Sequence, residues 1–219
     1  MITRLPSERI NFATHFAGFL AWIPFTVLLV VLAAPRPDLV AVVVVYGLGV
    51  MFLFFSSAWY HRNKREENET SLWRTLDHFA IFVMIAATYT PVVWIWFDEP
   101  WRTATLAFQW AVTLFGLGFK VFVKKAPRWV DPVLYLLMGW VAALAIVPLF
   151  QKMPLMVFFD LFWGGAWYTV GAIIYALKKP NFKPGVFGFH ELFHVFILGG
   201  AVTHGSLVVR SLVIAASAR

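Results

Sequence analysis

The chain has 219 residues, 61% of them hydrophobic and only 13% charged, and its mean hydropathy is +0.76. Soluble domains carry roughly 25% charged residues, so a water-soluble globular protein is excluded, whereas seven bilayer-spanning helices at about 20 residues each would use ~140 residues and leave short connections. The net charge of +7 does not mark a nucleic-acid partner, because the 18 Lys and Arg are dispersed between apolar runs, and with no cysteine any metal must be held by His, Asp or Glu.

In chain order the apolar runs predict spans at Ile10–Ala34, Leu39–Tyr60, Leu76–Phe97, Thr103–Val123, Val130–Phe150, Leu155–Leu177 and His190–Ala216. Breakers separate them: Pro35 to Asp38, the polar stretch 62–74, Asp98-Glu99-Pro100, Lys124 to Arg128, Gln151 to Pro154 and Lys178 to Gly185. No gap has room for a soluble domain, so the whole chain, 1–219, is expected to form one all-α, polytopic seven-helix domain. The first run is too long for the apolar core of a signal peptide, and Glu8, Asn11 and His15 at its start are out of character for one.

The basic residues set the orientation. The N-terminus and loops 2–3, 4–5 and 6–7 carry thirteen Lys and Arg, against five in the alternate loops and at the C-terminus. This predicts an N-terminus in the cytoplasm and a C-terminus outside, which requires an odd number of spans. Trp59, Trp73 and Trp129 toward the inside, and Trp94, Trp96 and Trp101 toward the outside, fit interfacial belts.

Ionisable residues inside spans are costly and mark functional sites by default. Five of the six histidines fall at the cytoplasmic ends of four spans. Ser57 and His61 lie one turn apart at the end of span 2, and Asp77 and His78 open span 3. His190 and His194 open span 7 at the i, i+4 spacing that lets two imidazoles chelate one ion. Glu8, Asn11 and His15 form one polar stripe at the start of span 1. His204, about 21 Å along the helix from His190, lies too deep for this cluster and reads as a hydrogen-bonded interior histidine.

Three imidazoles with an open fourth position describe a catalytic zinc site. The expected ligands are His61, His190 and His194. Asp77 would orient the water in the open position and take its proton, and Ser57 would donate to a developing oxyanion. Residues 190–194 also match the H-E-x-x-H pattern, in which the glutamate is the base. Glu191, however, is about 100° around the helix from His190 and points away from the face that His190 and His194 share, which favours Asp77. His78 is assigned to packing or to the membrane interface.

Glu8-x-x-Asn11-x-x-x-His15, Ser57-x-x-x-His61, Leu76-Asp77-His78-x-x-Ile81, Ala87-Thr88-Tyr89-Thr90-Pro91 and His190-x-x-x-His194 followed by His204 together resemble the progestin and adipoQ receptor family, whose bacterial branch is called hemolysin III. The resemblance implies a seven-helix bundle with an internal N-terminus. It also implies zinc held at the positions of His61, His190 and His194, with a water contacted by Asp77. It further implies kinship with ceramidase-like membrane hydrolases and residence in the bacterial plasma membrane. The short segment before span 1 lacks the long cytoplasmic region of the animal receptors.

The expected function is zinc-dependent hydrolysis of a membrane lipid amide or ester at the cytoplasmic face. Glu8, Asn11, His15, Glu191 and His204 would support the site from outside the ligand set. The alternatives are a non-enzymatic membrane-homeostasis or sensor protein with structural zinc, and a pore-forming cytolysin, which would need a polar stripe continuing across the membrane.

Overall fold

The computed structural model describes residues 6–66, 69–123, 127 and 129–217. Among the basic residues that set the orientation, Arg4, Lys124, Lys125, Arg128 and Arg219 lie outside the described residues, as does most of the Lys124–Arg128 breaker. The helices are α1 (Pro6–Ala33), α2 (Pro37–Asn63), α3 (Leu72–Trp96), α4 (Trp101–Phe122), α5 (Val130–Gly139), α6 (Ile146–Lys152), α7 (Leu155–Leu177) and α8 (Phe189–Ser217). A 3-10 segment, Trp140–Ala145, joins α5 to α6, so that together they make one crossing. The described residues contain no strand, and the protein is a polytopic helical membrane protein with seven crossings.

Local chemistry sets the ends. Pro37 opens α2, where a missing N–H costs nothing. The Ser71 hydroxyl accepts the Arg74 N–H to cap α3. Lys178 leaves α7 in the left-handed conformation (φ 53°), a common helix stop. The Asn181 side chain accepts the Phe189 N–H at 3.1 Å, and Glu191 accepts the Gly188 N–H at 2.7 Å, so two orphan donors at the start of α8 are satisfied.

The bundle is apolar outside and holds a group of ionisable side chains within. Leu20, Val27, Val31, Phe122 and Leu144 are exposed, whereas Glu8, Asn11, His15, His61, Glu191 and His194 are buried. With lipid as solvent, close packing and internal hydrogen bonds hold the helices together, rather than burial of greasy side chains. Gly164 shows the packing requirement: a Cβ there would run into the His204 ring. Helices α1, α2, α3 and α8 surround a core of Trp22, Tyr46, Phe54, Ile197 and Val208; α7 packs on α8, and α4 on α3.

Two features depart from the expected spans. Helices α1 and α2 extend beyond the apolar runs, which takes Glu8 and His61 into regular helix. The fifth crossing is not the continuous helix expected over 130–150, because it is broken over Trp140–Ala145. The Tyr89 hydroxyl bridges the break, donating to the Gly139 carbonyl at 2.6 Å and accepting the Ala142 N–H at 2.8 Å. Gln109 on α4 donates to the Met138 carbonyl at 3.0 Å. Backbone groups freed within the membrane therefore find side-chain partners, as the absence of water there requires. Among the described residues, the six crossings other than α4 are each long and apolar enough to span a bilayer.

The tryptophans expected at the outer interface also tie helices. Trp94 Nε1 donates to Asp38 at 3.1 Å, and Trp96 Nε1 donates to Ser211 at 2.9 Å.

Candidate metal centre

The start of α1, the end of α2 and the start of α8 meet at one end of the bundle, and the polar stripe of α1 touches both neighbours there. Glu8 Oε2 accepts a hydrogen bond from His61 Nδ1 at 2.6 Å. Asn11 Nδ2 donates to Glu191 Oε1 at 2.8 Å. The His15 ring stacks on His194, with centroids 3.7 Å apart and planes 14° from parallel. The i, i+3, i+7 spacing brings these three contacts onto one helix face.

His61 is fully buried. Because a carboxylate can only accept, Glu8 fixes the proton of His61 on Nδ1 and leaves Nε2 with a free lone pair. That Nε2 is buried and has no hydrogen-bond partner among the described residues. Lys64 Nζ donates to the other oxygen of Glu8 at 2.5 Å, so this carboxylate is held from both sides.

One nitrogen each from His61, His190 and His194 lies within 4.8 Å of the other two. Their ring centroids form a nearly equilateral triangle with sides of 5.0, 4.9 and 5.0 Å. Packing three imidazoles face to edge, two of them buried, with the Nε2 of His61 unpaired, is costly unless a proton donor or a cation meets their lone pairs. The donor set suits a first-row cation: three neutral nitrogens, with the carboxylate behind His61 orienting its ring. These three residues could hold a metal.

Ser57 and Asp77 are not part of that set but line the same cavity, of about 390 Å³, together with His15, His190 and His194. Asp77 is half-buried and makes no hydrogen bond or ion pair among the described residues. Glu191, by contrast, is buried and already accepts from both Asn11 and Gly188. It ties α8 to α1 and lies outside the histidine set.

His78, assigned from sequence to packing or to the interface, has a specific partner. Its Nδ1 donates to Asp131 Oδ2 at 2.9 Å, and Lys120 forms an ion pair with the same carboxylate. The Tyr135 hydroxyl donates to the His78 carbonyl at 2.8 Å. This group joins α3, α4 and α5 beside the cavity mouth, and His78 and Asp131 line it. Lys64 and Asp131 are the partners that sequence reading missed. Both are charged residues at helix ends, which read as loop charges until their neighbours are known.

A second, largely apolar chamber of about 150 Å³ lies deeper in the bundle, among Val93, Leu149, Phe158 and His204. Ile81, Met84, Phe193 and Ile197 line both spaces. His204 stands here, away from the three histidines, with its Nε2 3.3 Å from the Leu161 carbonyl.

Fold and site together define a multi-pass helical membrane protein with a three-histidine cluster at one end of the bundle. Residues 3–205 match the family described as "Haemolysin-III related", and the chain belongs to that family. It is 33% identical to Hemolysin-3 of Bacillus cereus over 203 residues, 91% of this chain and 90% of that protein. It is also 33% identical to the Hemolysin-3 homolog of Bacillus subtilis (strain 168) over 199 residues, 90% of each. A more distant relative, Heptahelical transmembrane protein 4 of Arabidopsis thaliana, is 28% identical over 180 residues, 71% of this chain and 45% of that protein.

Proposed function

We propose that the protein is a zinc-dependent membrane hydrolase of a lipid amide or ester, a single seven-helix domain in the bacterial plasma membrane with its site at the cytoplasmic face. The observation that carries this reading is a cluster of three imidazoles, two of which, His190 and His194, line a cavity that also presents Ser57 and Asp77 and shares walls with an apolar chamber.

His61, His190 and His194 would hold the zinc, which when bound supplies a Lewis acid and lowers the pKa of water to about 7. Glu8 keeps His61 in the tautomer that presents Nε2. The lipid enters with its acyl chain in the deep chamber and its carbonyl at the histidines. Asp77, which pairs with no cation among the described residues, orients the attacking water, takes its proton and passes it to the leaving amine or alkoxide. Ser57 donates its hydroxyl to the carbonyl oxygen as negative charge develops there. Glu191 is committed to Asn11 and Gly188 and serves as a tie rather than as the base.

The test is turnover of a ceramide in detergent micelles by the wild type and by Asp77→Asn. Hydrolysis by the wild type, with turnover lost but metal retained in the variant, supports the reading; hydrolysis unaffected by the substitution removes Asp77 from its role.

A second reading, structural zinc in a sensor protein, draws on the Glu8–His61 and Asn11–Glu191 contacts that already bind α1, α2 and α8 around the cluster. It predicts metal without turnover of any lipid. The pore reading fits less well, because the deep chamber is apolar where a conducting path needs polar lining.

A further inference from the structure

We propose that the deep chamber selects an acyl chain carrying a mid-chain hydroxyl group, which His204 accepts as a hydrogen bond. This rests on the reading above that the chamber takes the lipid's chain.

His204 lines this chamber and is more than nine-tenths buried. Its Nε2 edge lies against α7: Nε2 is 3.3 Å from the Leu161 carbonyl, and the same edge of the ring packs over Gly164, where a Cβ would collide with it. A carbonyl can only accept, so Nε2 carries the proton and Nδ1, across the ring, is an acceptor. That Nδ1 is buried and has no donor among the described residues. Tyr168, which also lines the chamber and whose ring centroid is 5.4 Å from that of His204, has among the described residues only the Met84 thioether as acceptor, at 3.6 Å. Two polar groups on α7 and α8 therefore stand under-partnered in an otherwise greasy space.

An unmodified hydrocarbon would leave Nδ1 of His204 desolvated and unpaired, whereas an alcohol supplies the donor and can also meet the Tyr168 hydroxyl. Position follows from helix geometry. His204 is ten residues beyond His194, about 15 Å along α8 at 1.5 Å per residue. A chain anchored at the histidines by its carbonyl therefore meets His204 near its middle rather than beside the carboxyl or at the tip.

The experiment displaces a fluorescent fatty acid from full-length, detergent-solubilised protein with oleic acid and with ricinoleic acid, which differ by one mid-chain hydroxyl. Ricinoleic acid is expected to bind about tenfold more tightly, the worth of one net hydrogen bond at ~1.4 kcal/mol per factor of ten. In His204→Leu the two acids are expected to bind equally, with metal content unchanged. Where that variant does not fold, the isomer of ricinoleic acid with its hydroxyl beside the carboxyl serves instead, and on the wild type it is expected to bind no better than oleic acid. Equal binding of oleic and ricinoleic acids by the wild type would leave Nδ1 to an internal water and overturn the inference alone. A preference that survives in His204→Leu, or one shown equally by the isomer, would also overturn it. Binding of neither acid would overturn it together with the acyl-chain reading.

Discussion

Glu8 is the residue through which the first helix controls the metal ligands. Its carboxylate holds Nδ1 of a fully buried His61 at 2.6 Å and is itself held by Lys64 at 2.5 Å. Glu8→Ala removes the acceptor that fixes the tautomer, so His61 can carry its proton on Nε2 and present no lone pair to a cation. Removing a carboxylate that orients a metal-binding histidine typically lowers metal affinity about 10–100-fold, or ~1.4–2.8 kcal/mol. Lys64 caps the end of α2 and can turn toward water, so most of the loss comes from His61 rather than from an uncompensated ammonium. Glu8→Gln should fall between the wild type and Glu8→Ala, because its amide oxygen still accepts from Nδ1 while the charge is gone. Zinc titration of purified protein against a competing chelator measures all three. Wild-type affinity in Glu8→Ala would refute the proposed role of Glu8, and equal loss in both variants would show that charge rather than tautomer is what Glu8 supplies.

Tyr89→Phe should lower the thermal unfolding midpoint in detergent, because the Gly139 carbonyl and the Ala142 N–H both lose their partner inside the membrane. Each polar group left unpaired away from water costs about 1–3 kcal/mol, so an unchanged midpoint would mean that the break in the fifth crossing is satisfied otherwise. Outside the spans, the hydrogen bond and charge of Lys152 hold the Asp98 carboxyl below its usual value of 3.8. A depressed carboxylate contributes stability that is present above that value and lost as pH falls through the lowered one. Asp98→Asn should therefore differ from the wild type at neutral pH and converge with it in strong acid. The difference should be small, because the pair is exposed and screened by water. A large loss at neutral pH would show that the pair fastens α6 to the α3–α4 turn.

The parts of this protein legible in its sequence are those that local pattern encodes. Apolar runs and basic loops gave seven crossings, and the i, i+4 pair His190/His194 with Ser57 and His61 at matching depth pointed to the three-histidine cluster. The angular separation of residues 190 and 191 turned Glu191 from the face of its neighbours, and in the structure it accepts from Asn11 and Gly188. What was hidden depends on pairing between distant segments. Asn11, 180 residues from Glu191, supplies that glutamate's partner. Glu8 looked too polar for a span, yet it is buried because His61 and Lys64 satisfy it. Val130–Phe150 reads as one apolar helix because the groups that tolerate its break, Tyr89 and Gln109, sit on other helices. His78 looked like an interfacial residue because Asp131 lies beyond a loop and on another helix.

The most direct test of the three-histidine centre is elemental analysis of detergent-purified protein, prepared without chelator, for the wild type beside His190→Ala. About one zinc per chain in the wild type, lost in a variant that remains folded, is the expected result. No stoichiometric metal in the wild type, or the same zinc content in both proteins, would contradict a metal centre built on His61, His190 and His194.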